Sequence, residues 1–398
     1  MEIRRALDIV LNNTTVLEGE KVSLIESLNR VLAANISSKD DLPPFDKSSM
    51  DGYALKSSDT TDGLFRFKIV GSIRAGDFLD EEIKSGEAVK IMTGAAVPKG
   101  ADAVIQIEKV KAEGNELRVF EKVCCGTNIL KKGEEIKNGD MVFESGKFLR
   151  PSEVGMLASL GYGKVDCHKV PKIILISTGD ELVDIDEKIT RGKVRNCNEY
   201  ALTALVKNLN GHVKSYGIIK DNRDEIFNAV KTAFEEGDIV ISSGGVSVGD
   251  YDFIEEVLKK IGADIKFTSV EIKPGKPVTF ATFKDKLFFG LPGNPLSVVN
   301  TFEVFVAPAI KKMMGRKDII TKEFPVILKD DFKSKGDREN YTYVNIKENG
   351  GNYYAYSMGS QSSNALFTLT QSNGIVIIKK GTKTVRAGET LNGKFIFK

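Results

Sequence analysis

Between Lys172 and Met314 the chain alternates two kinds of text. Short apolar runs at Lys172–Ser177, Val213–Ile219 and Asp238–Ser242 each end in a polar or glycine-rich turn. Each is followed by a stretch with helical spacing, at about Asn198–Leu209, Asp224–Glu235 and Phe253–Ile261. A strand that is apolar at nearly every position is buried on both faces. The alternation therefore predicts βαβ units and a parallel sheet with helices on each side. Val278–Phe283 and Leu287–Leu291 flank Lys284-Asp285-Lys286 and read as a hairpin on that sheet, and a last helix spans about Leu296–Met314.

The flanking text differs. Ile3, Ala6, Leu7 and Val10 lie at helical spacing, and a second short helical stretch runs near Leu24–Leu32. Pro43-Pro44 then stops regular structure. From about 46 to 145, short alternating runs (Phe65–Val70, Ala88–Met92, Ala103–Ile107, Leu117–Phe120) sit between Gly, Asp and Asn turns, which predicts a small all-β module. Pro151-Ser152-Glu153 opens a short helix ending near Gly161. From Phe324 onward the pattern is β again, at Tyr341–Ile346, Tyr353–Tyr356, Gly374–Ile378 and Lys394–Phe397.

Composition narrows the chemistry. With 57 Lys+Arg against 55 Asp+Glu, the net charge of +2 argues against a dedicated nucleic-acid binder. His168 and His212 are the only histidines, too few for a multi-His metal site. Cys124, Cys125, Cys167 and Cys197 form no C-x-x-C pair and are too sparse for a disulfide scaffold, so free structural thiols are expected. No run of 18 apolar residues occurs and no signal-peptide core follows Met1, so a cytoplasmic protein that spans no membrane is expected.

Ligands of a parallel α/β sheet bind outside the carboxyl ends of its strands. Three such ends carry polar turns: Ser177-Thr178-Gly179-Asp180-Glu181, the Ser242–Asp252 loop, and Gly290–Ser297. In the second, Ser243, Gly244, Gly245, Ser247 and Gly249 supply hydroxyls and close backbone approach to an anion before a helix start. Its spacing is neither G-x-G-x-x-G nor a Walker loop, and the alternative reading is a long surface connection. In the third, Asn294 suits a helix cap and Pro295 the first helical position. Lys273-Pro274-Gly275-Lys276-Pro277 is a stiffened cationic hook for an anion, or a solvated lysine pair. Glu181, Asp221 and Asp252 are hard oxygen donors suited to Mg²⁺, while Asp221 and Asp252 fit turn or capping roles equally well.

These residues together resemble the molybdopterin molybdenumtransferases, the bacterial MoeA proteins and the E domain of gephyrin. The match runs through Pro43-Pro44-Phe45-Asp46, Met50-Asp51-Gly52-Tyr53-Ala54, Met92-Thr93-Gly94-Ala95, Ser177–Leu182, Ser242–Asp252, Lys273–Pro277 and Gly290–Ser297. The resemblance implies insertion of molybdate into adenylylated molybdopterin with release of AMP, assisted by Mg²⁺. It also implies a homodimer whose active site is shared between chains, with molybdopterin adenylyltransferase and molybdoenzymes as partners. The implied fold is multi-domain α/β plus β. A central parallel α/β domain (1–20 plus 170–318) resembles molybdopterin adenylyltransferase. A linking α+β domain covers 21–42 plus 146–169, an inserted β-domain 43–145, and a C-terminal β-barrel-like domain 319–398.

Carried over residue by residue, Asp51, Glu181, Asp221, Asp252, Lys273 and Lys276 match catalytic positions. Thr93, Pro292, Gly293, Asn294, Pro295 and Ser297 match substrate-binding ones. Arg338 and Ser363 match positions associated with the oxyanion. The chain departs from the family pattern at Glu135, where Asp is typical, and at Asn196 and Cys197, where an acid and a hydroxyl are common. The resemblance leaves two other functions to weigh, a gephyrin-like dimeric scaffold and the adenylyltransferase step itself.

Overall fold

A computed structural model describes residues 1–60, 65–245 and 253–396 of the chain. It divides into two compact units: Met1–Ala34, Gly146–Pro151 and Lys164–Lys398 form one, and Asn35–Ser145 with Ser152–Gly163 the other.

The first unit holds the expected sheet. Its six strands run in the order His212–Ile219, Lys172–Thr178, Ile239–Ser243, Lys286–Leu291, Pro277–Phe283, Asp264–Ser269. The first four are parallel; Pro277–Phe283 pairs antiparallel with Lys286–Leu291 across the hairpin, and Asp264–Ser269 pairs antiparallel with Pro277–Phe283. The edge strand Asp264–Ser269 is not among the strands expected from the sequence: its ends are exposed, its middle is half-buried, and only Phe267 is fully inside.

Successive residues of each central strand point to opposite faces. Ile173, Leu175, Ile239, Ile241, Phe280 and Phe289 pack against the helices Ile3–Asn12, Cys197–Asn208 and Pro295–Met313. Ile174, Ile176, Val240 and Phe288 pack against Ile226, Val230 and Phe234 of Arg223–Glu236 and Ile254 and Leu258 of Ile254–Ile261. Both faces are therefore sealed, which is what the unbroken apolar runs require.

Two helical expectations change. The stretch Leu24–Leu32 is only a 3₁₀ turn, Ile25–Ser27. Leu28 already turns extended, with ψ 133, Asn29 follows at φ +60, and Val31 and Leu32 bridge to Phe148 and Cys167 instead. The helix expected over Leu296–Met314 is two α-segments, Pro295–Thr301 and Ala307–Met313, joined by a π-turn at Phe302–Val306. Pro308 has no N–H and its ring would clash with the carbonyl four residues back, so the wider turn relieves the conflict.

C-terminal strands close into a ring: Glu339–Asn349, Asn352–Ser357, Phe324–Leu328, Thr390–Phe395 and Gly374–Ile378, the last pairing back to the first. Val326, Leu328, Val344, Ala355 and Val376 fill this barrel. Ile272–Lys273 extends its sheet in parallel with Glu339 and Asn340, tying the hook to the barrel.

The second unit is built on a six-stranded sheet in the order Ala103–Gln106, Gly52–Leu55, Glu87–Ile91, Phe65–Ile73, Glu116–Val119, Val110–Glu113. All four runs read as strands from the sequence lie in it. Tyr53, Leu55, Phe67, Ala88, Ile105, Leu117 and Val119 form one core cluster.

Candidate active site

In the first unit the three polar strand ends meet as expected. Lys172–Thr178, Ile239–Ser243 and Lys286–Leu291 are parallel neighbours, so the turns after Thr178, Ser243 and Leu291 open at the carboxyl end of the sheet, beside the turn after Ile219. Gly244 has φ +91, and a Cβ there would stand 2.4 Å from the Thr178 carbonyl oxygen. Only glycine lets this loop lie down on the neighbouring strand end. The Gly244 N–H donates to the Leu291 carbonyl at 3.1 Å, joining the second loop to the third.

Asn198, at the start of the helix after Val194–Arg195, is buried and completes this junction. Its Nδ2 donates to Ser243 Oγ at 3.0 Å and to the Gly293 carbonyl at 2.7 Å. Sequence reasoning did not assign it a role, although it ends the run Arg195-Asn196-Cys197-Asn198. The two departures beside it have local structural uses. Asn196 caps the helix, accepting from the Glu199 N–H, and burial pushes the Cys197 thiol up.

Asn294 does not use its side chain as a cap. Its Nδ2 donates to Ser363 Oγ at 3.2 Å, and the Leu296 N–H donates to the Ser363 carbonyl at 3.0 Å. A segment of the C-terminal module is thus fixed at the start of the helix carrying Ser297. Pro292 is buried, Pro295 occupies the first helical turn, and Ser297 is buried.

The acidic residues are partly assembled. The Asp180 N–H donates to Asp221 Oδ2 at 3.2 Å, and the Asp221 N–H to Asp180 Oδ1 at 3.3 Å. Burial, joined by the negative charges of Asp180 and Glu181, raises the Asp221 carboxyl above the ordinary carboxylate value. Lys193 Nζ donates to the Asp180 carbonyl. Ser247, Gly249 and Asp252 lie outside the described residues. Among the described residues no group of three or more His, Cys, Asp or Glu is arranged to hold a metal ion.

The lysine hook sits on the same helix. Gly275 has φ +108, and a Cβ there would be 2.4 Å from Thr301 Cγ2 and 3.5 Å from the Ser297 carbonyl oxygen. Asn300, missed in the sequence and buried, donates to the Pro274 carbonyl at 2.9 Å. Among the described residues neither Lys273 nor Lys276 forms an ion pair, and Lys276 is exposed. Arg338 adjoins the strand that pairs with the hook, and its Nε lies 3.0 Å from Asp337 Oδ2.

In the second unit, Asp51 and Thr93 come together. Asp51 Oδ1 accepts from the Thr93 N–H and hydroxyl, each at 2.7 Å. These two bonds, aided by Lys90, hold the Asp51 carboxyl below its ordinary value. Glu135 is exposed, and its backbone N–H donates to the Leu42 carbonyl. Burial pushes the Cys167 thiol up to about 11, in keeping with a structural thiol. No helix among the described residues is long and apolar enough to cross a membrane.

Three family descriptions match the chain in order. "MoeA N-terminal region (domain I and II)" covers residues 1–161, "Probable molybdopterin binding domain" 174–312, and "MoeA C-terminal region (domain IV)" 325–392. A molybdopterin molybdenumtransferase of Staphylococcus aureus (strain COL) is 34% identical over 394 residues, covering 98% of this chain and 94% of its own. One from Haemophilus influenzae is 37% identical over 380 residues, covering 94% and 93%. A crystal structure of a molybdopterin biosynthesis MoeA protein from Pyrococcus horikosii aligns with a TM-score of 0.85 at 29% identity, over 100% of this chain and 99% of the other. With full-length relatives above 30% identity and a matching fold, the chain belongs to the molybdopterin molybdenumtransferase family, enzymes of molybdenum cofactor biosynthesis.

Proposed function

We propose that the protein inserts molybdate into adenylylated molybdopterin with release of AMP, as a cytoplasmic homodimer whose active site is shared between chains. One observation carries the reading. The glycine loop, the Gly290–Ser297 turn and the Asp180–Asp221 pair open at the carboxyl ends of parallel strands, and the lysine hook is seated on the helix that follows. Donors at such ends suit phosphate, and the Ser243 hydroxyl and the Gly245 N–H, with Gly244 allowing close approach, would hold the phosphates of the nucleotide–pterin. Lys273, Lys276 and Arg338 would hold the tetrahedral dianion, with Ser297 and Ser363 donating to its oxygens. Asp51 and Thr93 would act in the site of the partner chain.

The donor set suits Mg²⁺. Carboxylate oxygens are hard ligands, and the repulsion Asp221 feels from Asp180 and Glu181 is the kind a bound cation relieves. Glu181, Asp221 and Asp252 are the residues that would hold it. Once bound, the ion offsets phosphate charge during cleavage of the adenylate. Molybdopterin adenylyltransferase would supply the substrate, and molybdoenzymes would receive the product.

The test uses purified protein with adenylylated molybdopterin, Mg²⁺ and varied molybdate. AMP release that depends on molybdate supports the reading. ATP consumption with free molybdopterin would favour the adenylyltransferase step, and inactivity in both assays a scaffold. In the Lys273→Ala/Lys276→Ala variant, molybdate use should weaken far more than pterin binding. An unchanged molybdate dependence would remove the lysines from the site.

A further inference from the structure

Gly293 O can only accept a hydrogen bond, and it lies 2.7 Å from the Asn198 side chain. The amide group must therefore face it with its nitrogen. That same Nδ2 is 3.0 Å from Ser243 Oγ, so its second hydrogen points at the hydroxyl oxygen. Ser243 Oγ is thereby an acceptor toward Asn198, and its own hydrogen turns elsewhere. Among the described residues no bond uses that hydrogen. Ser243 ends its strand at the carboxyl end of the sheet, where ligands bind in such folds.

We infer that Asn198 is a positioning residue that fixes the hydrogen-bond polarity of the site, holding Ser243 as a donor to an acceptor atom of the substrate. The same amide sets the gap between the second and third loops, whose backbones also meet through Gly244 N–H and Leu291 O. An anionic phosphate oxygen is the acceptor chemistry that a hydroxyl donor beside a glycine loop would recognise. The inference rests on the reading that places Ser243 in substrate binding, and goes beyond it by assigning Asn198 and the direction of the bond.

Asn198→Asp keeps the side-chain shape but presents only acceptors when charged. Ser243 would then donate inward to the new carboxylate, and the substrate would lose its donor. The test is the dissociation constant of adenylylated molybdopterin, by titration calorimetry, for wild type, Asn198→Asp, Ser243→Ala and the double variant. Each single change should weaken binding about tenfold or more. The double variant should be much tighter than the product of the two effects, because both remove one donated bond. Asn198→Ala, with melting followed alongside, provides a second arm should the aspartate variant fold poorly. Additive effects, or full affinity in both Asn198 variants while Ser243→Ala binds weakly, would overturn the inference and leave the functional reading intact. Full affinity in Ser243→Ala would instead remove Ser243 from the binding site, and the inference with it.

Discussion

Asp51 Oδ1 accepts two hydrogen bonds from one residue, the backbone N–H and the hydroxyl of Thr93, each at 2.7 Å. The carboxylate is exposed, so it is held in place by this clamp rather than by burial. Thr93→Val keeps the backbone bond and removes the other. The Asp51 carboxyl should then titrate closer to its ordinary value, which side-chain carbonyl NMR would follow. On the proposed function, AMP release should fall as the carboxylate loses its fixed orientation.

Asp221 shifts the other way. Its folded value is raised by burial and by its acidic neighbours, so its contribution to stability is present at low pH and is lost as pH rises from the unfolded value through the folded one. Above that window the charge is strained. Mg²⁺ should therefore raise the melting temperature at pH 7 and much less near pH 4. Asp221→Asn should melt higher than wild type at pH 7 without Mg²⁺ and show a smaller Mg²⁺ shift. Scanning fluorimetry across pH measures both.

Gly275→Ala tests the seat of the lysine hook. The new Cβ would fall 2.4 Å from Thr301 Cγ2 at a residue with φ +108. Strain and overpacking together should destabilise the protein by about 1–3 kcal/mol. The hook should also lift from the helix, raising the KM for molybdate more than that for the pterin substrate. Chemical denaturation and initial-rate kinetics separate the two effects.

The sheet itself should tolerate little loss. Phe280 is fully buried, with Phe267 and Phe289 rings at 5.6 and 5.0 Å. Phe280→Ala should cost about 3–5 kcal/mol, read from the urea midpoint.

The central sheet was legible because a strand buried on both faces must be apolar throughout, and that is a local signal. The same applies to the hairpin around Lys284-Asp285-Lys286 and to the four strands found in the inserted module. Glycine at 244 reads in the sequence as close approach to an anion, whereas in the fold it makes room for the Thr178 carbonyl. The break in the helix over Leu296–Met314 has a local cause in Pro308, but the other failure was decided at long range. Leu24–Leu32 has helical spacing, yet Val31 and Leu32 pair with residues more than a hundred positions away.

By itself, the sequence determined the layer order of the α/β unit and the residue types gathered at its strand ends, since periodicity and turn chemistry act between near neighbours. Only the tertiary structure decided which of those residues touch. Asn198 meets Ser243 and Gly293 across separations of 45 and 95 residues, Asn294 meets Ser363 across 69, and Asn300 meets Pro274 across 26. A buried amide is chosen for the donors and acceptors the fold brings to it, and no pattern along the chain carries that information.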